Sequence, residues 1–75
     1  MSCLFRIILR PEPEGGYTVI VPSLPGCITY GETAEESVKM GEDAIRSYLE
    51  SMKKHGEEII GDAGTLEMFL KIEHI

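Results

Sequence analysis

Four side chains in this sequence have the chemistry of a nucleophile, a general base or a metal ligand: Cys3, Cys27, His55 and His74. A nucleophilic cysteine needs a base beside it, and a zinc site needs three or four ligands at short spacings. The four side chains are far apart in the sequence. The cysteines lie in apolar runs, His55 lies at the predicted end of a helix, and His74 lies one residue before the end of the chain. We therefore predict no catalytic residue, no metal site and no cofactor.

The two cysteines also indicate in which cellular compartment the protein is found. Cys3 and Cys27 lack the dense spacing of a disulfide scaffold, so we expect both to be reduced, buried thiols. No apolar run approaches the ~20 residues that cross a bilayer. The sequence thus favours a cytoplasmic protein that has no membrane partner.

The charge balance narrows the class of partner. Thirteen acidic and seven basic side chains give a net charge of −6. A nucleic-acid-binding domain needs a basic surface that neutralises phosphates, and none is visible, so we predict no nucleic acid as a partner of this domain alone. A basic protein is favoured instead, although an acidic balance also keeps ordinary proteins in solution.

Acidic residues gather where a helix is predicted to begin. Glu32, Glu35 and Glu36 lie there and are our predicted partner-binding carboxylates, since a negative surface can steer a basic protein. The alternative is a solvated face whose early carboxylates stabilise the helix dipole, which is the commoner reason for such a run.

Apolar alternation predicts three strands in the first half of the chain. They cover residues 3–10, 17–21 and 27–30, and runs rich in proline and glycine separate them at 11–16 and 22–26. Connections this short favour an antiparallel meander.

A helix of about twenty residues is predicted next. Thr33 and Glu36 have the spacing of a capping box, and Gly56 can adopt the left-handed conformation that ends a helix. Apolar residues recur every three or four positions and define one buried face. Its members are Ala34, Val38, Gly41, Ala44, Ile45, Tyr48, Leu49 and Met52.

Alternation resumes near the end of the chain and predicts a fourth strand from Leu66 to Glu73. A right-handed helical crossover would place this strand beside the first and parallel to it. The predicted fold class is α+β, with element order β-β-β-α-β and a four-stranded mixed sheet in the order 3-2-1-4. One helix covers one face, and residues 1–75 form a single domain.

The first strand has apolar residues on both faces. Leu4 and Ile8 share a face with Arg6 and Arg10, whereas Phe5 and its alternate neighbours share the other. Because one helix covers only one face of a sheet, we predict that Leu4 and Ile8 lie in an oligomer interface of a homodimer or higher oligomer, or against a partner protein.

The run from Pro22 to Cys27 has two interpretations. Two prolines fix its shape, so Ser23 and Leu24 are predicted partner-binding residues, with Leu24 as a projecting apolar anchor. The alternative, a purely structural link between two strands, is the more common role of such loops.

The run from Gly15 to Thr33, GGYTVIVPSLPGCITYGET, followed by Glu35-Glu36-Ser37-Val38, resembles the signature of the HicB-like antitoxin family. The resemblance covers residues 4 to about 50. It implies a partial ribonuclease-H-like fold, homodimers or larger assemblies, and binding to a small basic HicA-like ribonuclease toxin whose active site the antitoxin covers. Antitoxins of this family commonly continue into a DNA-binding segment, and this chain ends at Ile75. We therefore do not expect DNA binding from it.

Ribonuclease H chemistry needs several carboxylates that hold two metal ions, and neither of the first two predicted strands contains an aspartate or glutamate. The protein is predicted not to be an enzyme. Two functions remain open: an antitoxin-type module that neutralises a small basic mRNA ribonuclease, or a stand-alone homo-oligomeric domain that binds another protein or a small ligand without a toxin.

Overall fold

The computed structural model describes residues 3–73 and contains three strands followed by one helix. Strands β1 (Ile8–Pro11), β2 (Tyr17–Ile20) and β3 (Ile28–Gly31) form an antiparallel sheet in the order β1-β2-β3. Helix α1 spans Ala34–Lys54 and packs on β2 and β3. The predicted α+β class and the predicted meander are confirmed.

The register of the sheet creates two contrasting rows of side chains. Ile8 of β1 pairs with Ile20 of β2, which pairs with Ile28 of β3. The adjacent row has Val19 at its centre, and Val19 is fully buried where α1 crosses the sheet at Gly41. Since successive strand residues point to opposite faces, the isoleucine row faces away from α1.

Strand β1 is shorter than predicted. The sequence indicated residues 3–10, whereas the observed strand is Ile8–Pro11. The ladder between β1 and β2 ends at the Ile8–Ile20 pair, and the next residue of this chain, Val21, bonds on the β3 side, where its amide donates to the Cys27 carbonyl at 3.1 Å. Residues 3–7 therefore have no ladder partner on β2, although their apolar side chains still pack against the core.

The ends of α1 are where the sequence placed them. Thr33 caps the helix, and its hydroxyl accepts from the Glu36 amide at 3.0 Å. The Glu36 carboxylate in turn accepts from the Glu32 amide at 2.6 Å. At the other end His55 is the C-cap, and Gly56 has a φ of 68°, which glycine tolerates best.

The buried face of α1 differs from the prediction at its first turn. Ala34 and Val38 were expected in the core, but both are exposed, and Ser37 is fully buried instead. The reason is a close approach of α1 to Gly31 of β3, where a β-carbon would overlap Ser37. Only a small side chain fits there, and the Ser37 hydroxyl is satisfied because it donates to the Thr33 carbonyl at 2.6 Å.

The core lies between α1 and the sheet, with Val21, Leu24 and Cys27 at its centre. The residues that surround this centre are Phe5, Ile7, Ala44, Ile45, Tyr48, Leu49 and Met52. Burial raises the pKa of the Cys27 thiol. The expectation of two buried thiols is correct for Cys27 and wrong for Cys3, which precedes the packed part of the chain and is exposed.

The segment after α1 is bonded to the start of the chain through Asp62 and contacts Arg6 through Glu67 at 3.7 Å, but most of its side chains are exposed. Ile59 is half-buried and Ile60 is exposed. Between residues 57 and 73 the structure contains no strand, and the predicted fourth strand is therefore not seen. The radius of gyration is 14.3 Å, whereas a compact chain of this length has about 11 Å. A strand needs a neighbouring strand, and this segment has none beside it.

Candidate protein-binding surfaces

The loop from Pro22 to Cys27 is held tightly from within. The Leu24 amide donates to the Val21 carbonyl at 3.0 Å, and the Cys27 amide donates to the Leu24 carbonyl at 2.9 Å. The Tyr48 hydroxyl of α1 donates to the Pro25 carbonyl at 2.8 Å. These bonds fix the loop on the domain and favour its structural interpretation.

Leu24 does not project from this loop. Its side chain is 3% exposed and belongs to the core, so the expectation that it is a projecting anchor is wrong. The loop bends back so that Leu24 and Cys27 face inward, which leaves Ser23, Pro25 and Gly26 at the surface. The sequence did not reveal this, because a short loop has no periodicity that distinguishes its inner from its outer side.

Ser23 is exposed, but its side chain is already hydrogen-bonded within the protein. Its hydroxyl donates to Oδ1 of Asp62 at 2.5 Å, a contact between residues that lie 39 positions apart. The other carboxylate oxygen, Oδ2, accepts from the Arg6 amide at 2.9 Å, while the Asp62 amide donates to the Leu4 carbonyl at 2.6 Å. Asp62 thus ties the loop, the start of the chain and the segment after α1 together.

These bonds set the charge state of Asp62. The hydrogen bond from the Arg6 amide, followed by that from the Ser23 hydroxyl, holds the pKa of Asp62 below its usual range. The sequence analysis missed this residue, because its partners come from two distant parts of the chain, residues 4–6 and Ser23, and Gly61-Asp62 reads as an ordinary turn.

The acidic residues at the start of α1 form a second surface. Glu32, Glu35 and Glu36 are all exposed, as predicted from the sequence. Glu36 also serves the helix cap, since its carboxylate accepts from the Glu32 amide. Further along α1, Glu42 pairs with Arg46 at 2.8 Å. Charge of one sign therefore remains concentrated around the first turn.

The sheet face that lies opposite α1 forms a third surface, which we call the open face: Ile8, Ile20, Ile28 and Tyr30. Leu4 precedes β1 and lies beside residues 59–61. Leu4 is 66% exposed, Ile8 39% and Ile28 61%. The Tyr30 hydroxyl donates to the Gly15 carbonyl at 3.0 Å, which holds its ring in place. Apolar side chains from all three strands are thus presented side by side, as in surfaces that bind another protein.

The residues with reactive chemistry are not brought together. Cys27 lies in the core, Cys3 is at the surface, and His55 takes part in the cap at the end of α1. His74 lies outside the described residues. Within residues 3–73 there is no group of three or more histidine, cysteine or acidic side chains arranged to hold a metal ion. No helix in that range is long and apolar enough to span a membrane. The features that the described residues do present, an acidic surface at the start of α1 and an apolar open face on the sheet, are ones that bind other molecules.

Comparison with known protein families shows to which family the chain belongs. A family model described as the HicB_like antitoxin of bacterial toxin-antitoxin systems matches residues 5–74. The chain belongs to the HicB-like antitoxin family. The match extends well beyond the motif in residues 15–38 and includes the segment after α1.

Individual relatives within the family fall into two groups. A UPF0150 protein of Thermoplasma acidophilum is 45% identical over 77% of this chain and 84% of its own length. A UPF0150 protein of Archaeoglobus fulgidus is 41% identical over 72% of this chain and 77% of its own length. The protein named Antitoxin HicB 1 of Photorhabdus laumondii is 36% identical over 73% of this chain, but the match spans only 36% of that antitoxin.

Proposed function

We propose that this protein is an antitoxin-type binding module that neutralises a small basic HicA-like mRNA ribonuclease by covering its active site. The observation that carries the proposal is membership of the HicB-like antitoxin family. The module acts by occupying a surface of the toxin and performs no catalysis of its own. Since its target would act on mRNA, the proposed place of action is the cytoplasm.

Charge supports this choice of partner. The net charge is −6, and the exposed carboxylates of Glu32, Glu35 and Glu36 lie together at the first turn of α1. An mRNA ribonuclease needs a positive surface for the phosphate backbone, so an acidic surface is complementary to the region that must be blocked. We propose that Glu32 and Glu35 contact the toxin, with Glu36 beside them and Ser23 at the edge of the contact.

Self-association is the second part of the proposal. Ile8 lies on the open face, where Ile20 and Ile28 complete an apolar row across the sheet, and the exposed Leu4 precedes the same strand. We propose that this face is buried in a homodimer or a higher oligomer. A domain of about 75 residues has only a marginal core of its own, so burial of the open face would stabilise the fold and would also fix how the copies are oriented in the oligomer. The partial ribonuclease-H-like fold, which requires a strand beside β1, belongs to the same proposal.

The test uses the protein together with the product of any adjacent reading frame that encodes a small basic protein. Expression of that product alone should arrest growth and degrade mRNA, and co-expression of this chain should prevent both. Absence of rescue by the unaltered chain would contradict the proposal.

The acidic surface can be tested with a matched pair of variants. Glu35→Lys should weaken toxin binding by tenfold or more, because it reverses one charge in the acidic surface. Glu50→Lys makes the same change on an exposed site near the other end of α1 and should leave binding within about twofold. Titration of each purified variant against toxin, read out as inhibition of RNA cleavage, gives the two affinities. Equal losses in both variants would remove the acidic surface from the proposal.

A second candidate is a stand-alone homo-oligomeric domain that binds another protein or a small ligand without a toxin. The observation that favours it is the first group of relatives, which match this chain over most of their own length and are named only as UPF0150 proteins. An oligomer recovered from cells without any small basic ribonuclease would support this candidate.

A further inference from the structure

The outer edge of β3 carries backbone groups that the sheet leaves unpaired. In an antiparallel ladder, residue pairs that exchange two hydrogen bonds alternate with pairs that exchange none. The Val21 amide donates to the Cys27 carbonyl, and the register of β2 and β3 puts Thr29 in the same bonded set. The amides and carbonyls of the alternate residues, Ile28 and Tyr30, therefore point away from β2. Within residues 3–73 no strand lies beyond them.

A shallow groove lies beside the start of β3, between this strand and α1. The residues that line it are mostly small, among them Gly26 before β3 and Ala44, Ser47 and Ser51 on α1. A strand added to this edge would lie about 4.8 Å from β3 and would point every second side chain towards α1. The small residues leave space for those side chains. The alternate side chains would extend the apolar row of the open face beside Ile28.

The side of α1 that borders this groove is negatively charged near β3. Asp43 lies one turn before Ser47, and Glu36 lies two turns before Asp43, so helical spacing puts all three on one side of α1. Both carboxylates are exposed, and Glu36 also belongs to the acidic surface at the first turn. Beyond Ser47, Glu50 is accompanied by Lys54, so the charge there is balanced. The groove therefore opens onto the acidic surface and shares its charge.

We propose that an extended segment of a basic partner protein adds to the outer edge of β3 as a further strand. Its lysine or arginine side chains point towards α1 and its apolar side chains continue the open face. Main-chain hydrogen bonds to Ile28 and Tyr30 provide affinity, and the alternation of basic and apolar residues provides specificity. The inference rests on the proposed function for the identity of the partner, and it adds which part of the partner is bound and where.

The outer edge of β1 is the poorer site for such a segment. The Glu12 amide donates to the Gly16 carbonyl, so the alternate residues Leu9 and Pro11 face outwards on β1. Pro11 has no amide hydrogen to donate. Because α1 packs on β2 and β3, no helix flanks the edge of β1 in the described part of the chain.

Only the edge of β3 combines unpaired main-chain groups with a groove and a charged rim among the described residues. The unpaired groups accept a strand of any sequence. The carboxylates of Glu36 and Asp43 then select a strand that carries positive charge on the side of α1. These features together favour an extended basic segment as the occupant.

The direct test uses the full ¹⁵N-labelled chain and two synthetic heptapeptides at millimolar concentration. One peptide alternates lysine with valine, and the other alternates glutamate with valine. With the lysine peptide, the amide protons of Ile28 and Tyr30 should move downfield and exchange with solvent about tenfold more slowly, because they gain hydrogen-bond acceptors. The amide of Leu9 on the other edge should not change. The glutamate peptide should bind about tenfold more weakly.

The other outcomes contradict the inference. Unchanged amides of Ile28 and Tyr30 with both peptides would remove strand addition at β3. Changes at Leu9 instead would place the added strand on β1. Equal binding of the two peptides would remove the selection for positive charge. Each of these results leaves the proposed function standing, since neutralisation of a toxin is measured separately by rescue of growth.

Variants of the groove supply an independent measurement. Ser47→Phe fills the groove at an exposed position and should weaken binding of the lysine peptide by about tenfold, whereas Ser47→Ala keeps the groove open and should leave the affinity within about twofold. Equal affinities of these two variants would show that no strand lies in the groove.

The charge of the rim is tested with a second matched pair. Asp43→Lys should weaken binding of the lysine peptide by about tenfold, because it reverses one charge beside the groove. Glu58→Lys makes the same change at an exposed position in the connector after α1 and should leave the affinity within about twofold. Circular dichroism of each variant verifies that α1 is intact. Equal losses for the two charge reversals would contradict selection by the rim.

Discussion

The two faces of the sheet are built from similar residues and have opposite environments. On the side of α1, Val19 and Val21 are almost completely buried, whereas Ile8 and Ile28 on the open face are exposed. The difference arises from the helix, which covers one face only. Burial on the first face stabilises a single chain, and the apolar area on the second face is available for association between chains.

The largest contrast between the faces should appear in the free energy of unfolding. Leu24→Ala removes a buried side chain and leaves a cavity, so we expect a loss of about 2–5 kcal/mol. Ile28→Ala on the open face should change the stability of the monomer by less than about 0.5 kcal/mol. Urea unfolding at low protein concentration measures both. Similar losses for the two variants would contradict the assignment of the faces.

The next contrast concerns association. Ile8→Glu places a charge on the open face, which should raise the dissociation constant of the oligomer by about a hundredfold because the charge would have to be buried without a partner. Val38→Glu is the matched control, since Val38 is also an exposed apolar residue but lies on α1. Sedimentation over a range of concentrations distinguishes them. If Ile8→Glu leaves the dissociation constant of the oligomer unchanged, the open face is not part of the interface.

The smallest expected effect depends on pH. The pKa of Asp62 is lowered in the folded chain, chiefly by the hydrogen bond from the Arg6 amide. The stabilisation is therefore complete above the ordinary aspartate pKa of about 3.9 and is lost as the pH falls through that value towards the lower folded-state pKa. Asp62→Asn should lower the free energy of unfolding at pH 7. At pH 3 the difference in this free energy between the variant and the unaltered chain should be smaller.

Glu58→Gln removes an exposed carboxylate from the same connector and serves as the control for the pH experiment. Thermal unfolding at both pH values gives the comparison. An Asp62→Asn variant whose deficit stays the same at pH 3 would show that its carboxylate charge is not what stabilises the fold.

Local patterns predicted the elements whose signals lie within a few residues. The cap at Thr33, the end of α1 at Gly56 and the antiparallel order of the three strands were all confirmed. These features depend on backbone geometry and on alternation, which can be read directly from neighbouring residues.

The errors arose where distant residues meet. Ser37 replaces Val38 in the core because Gly31 of β3 lets the helix approach closely, and Leu24 turns inward because the loop is bonded at both ends. The importance of Asp62 likewise depends on partners more than 30 positions away. The alternation in residues 66–73 predicted a fourth strand that the structure does not contain, because a strand also requires an edge to pair with, which no sequence pattern supplies.

The central claim is that the protein acts by binding a small basic ribonuclease as part of a self-associated antitoxin. It is tested most directly by recovering the tagged protein from extracts of its own cells and measuring the masses of the intact complexes. The account predicts at least two copies of this chain with a small basic ribonuclease in a near-equal ratio. Recovery of a monomer, or of an oligomer that contains no such ribonuclease, would contradict the account.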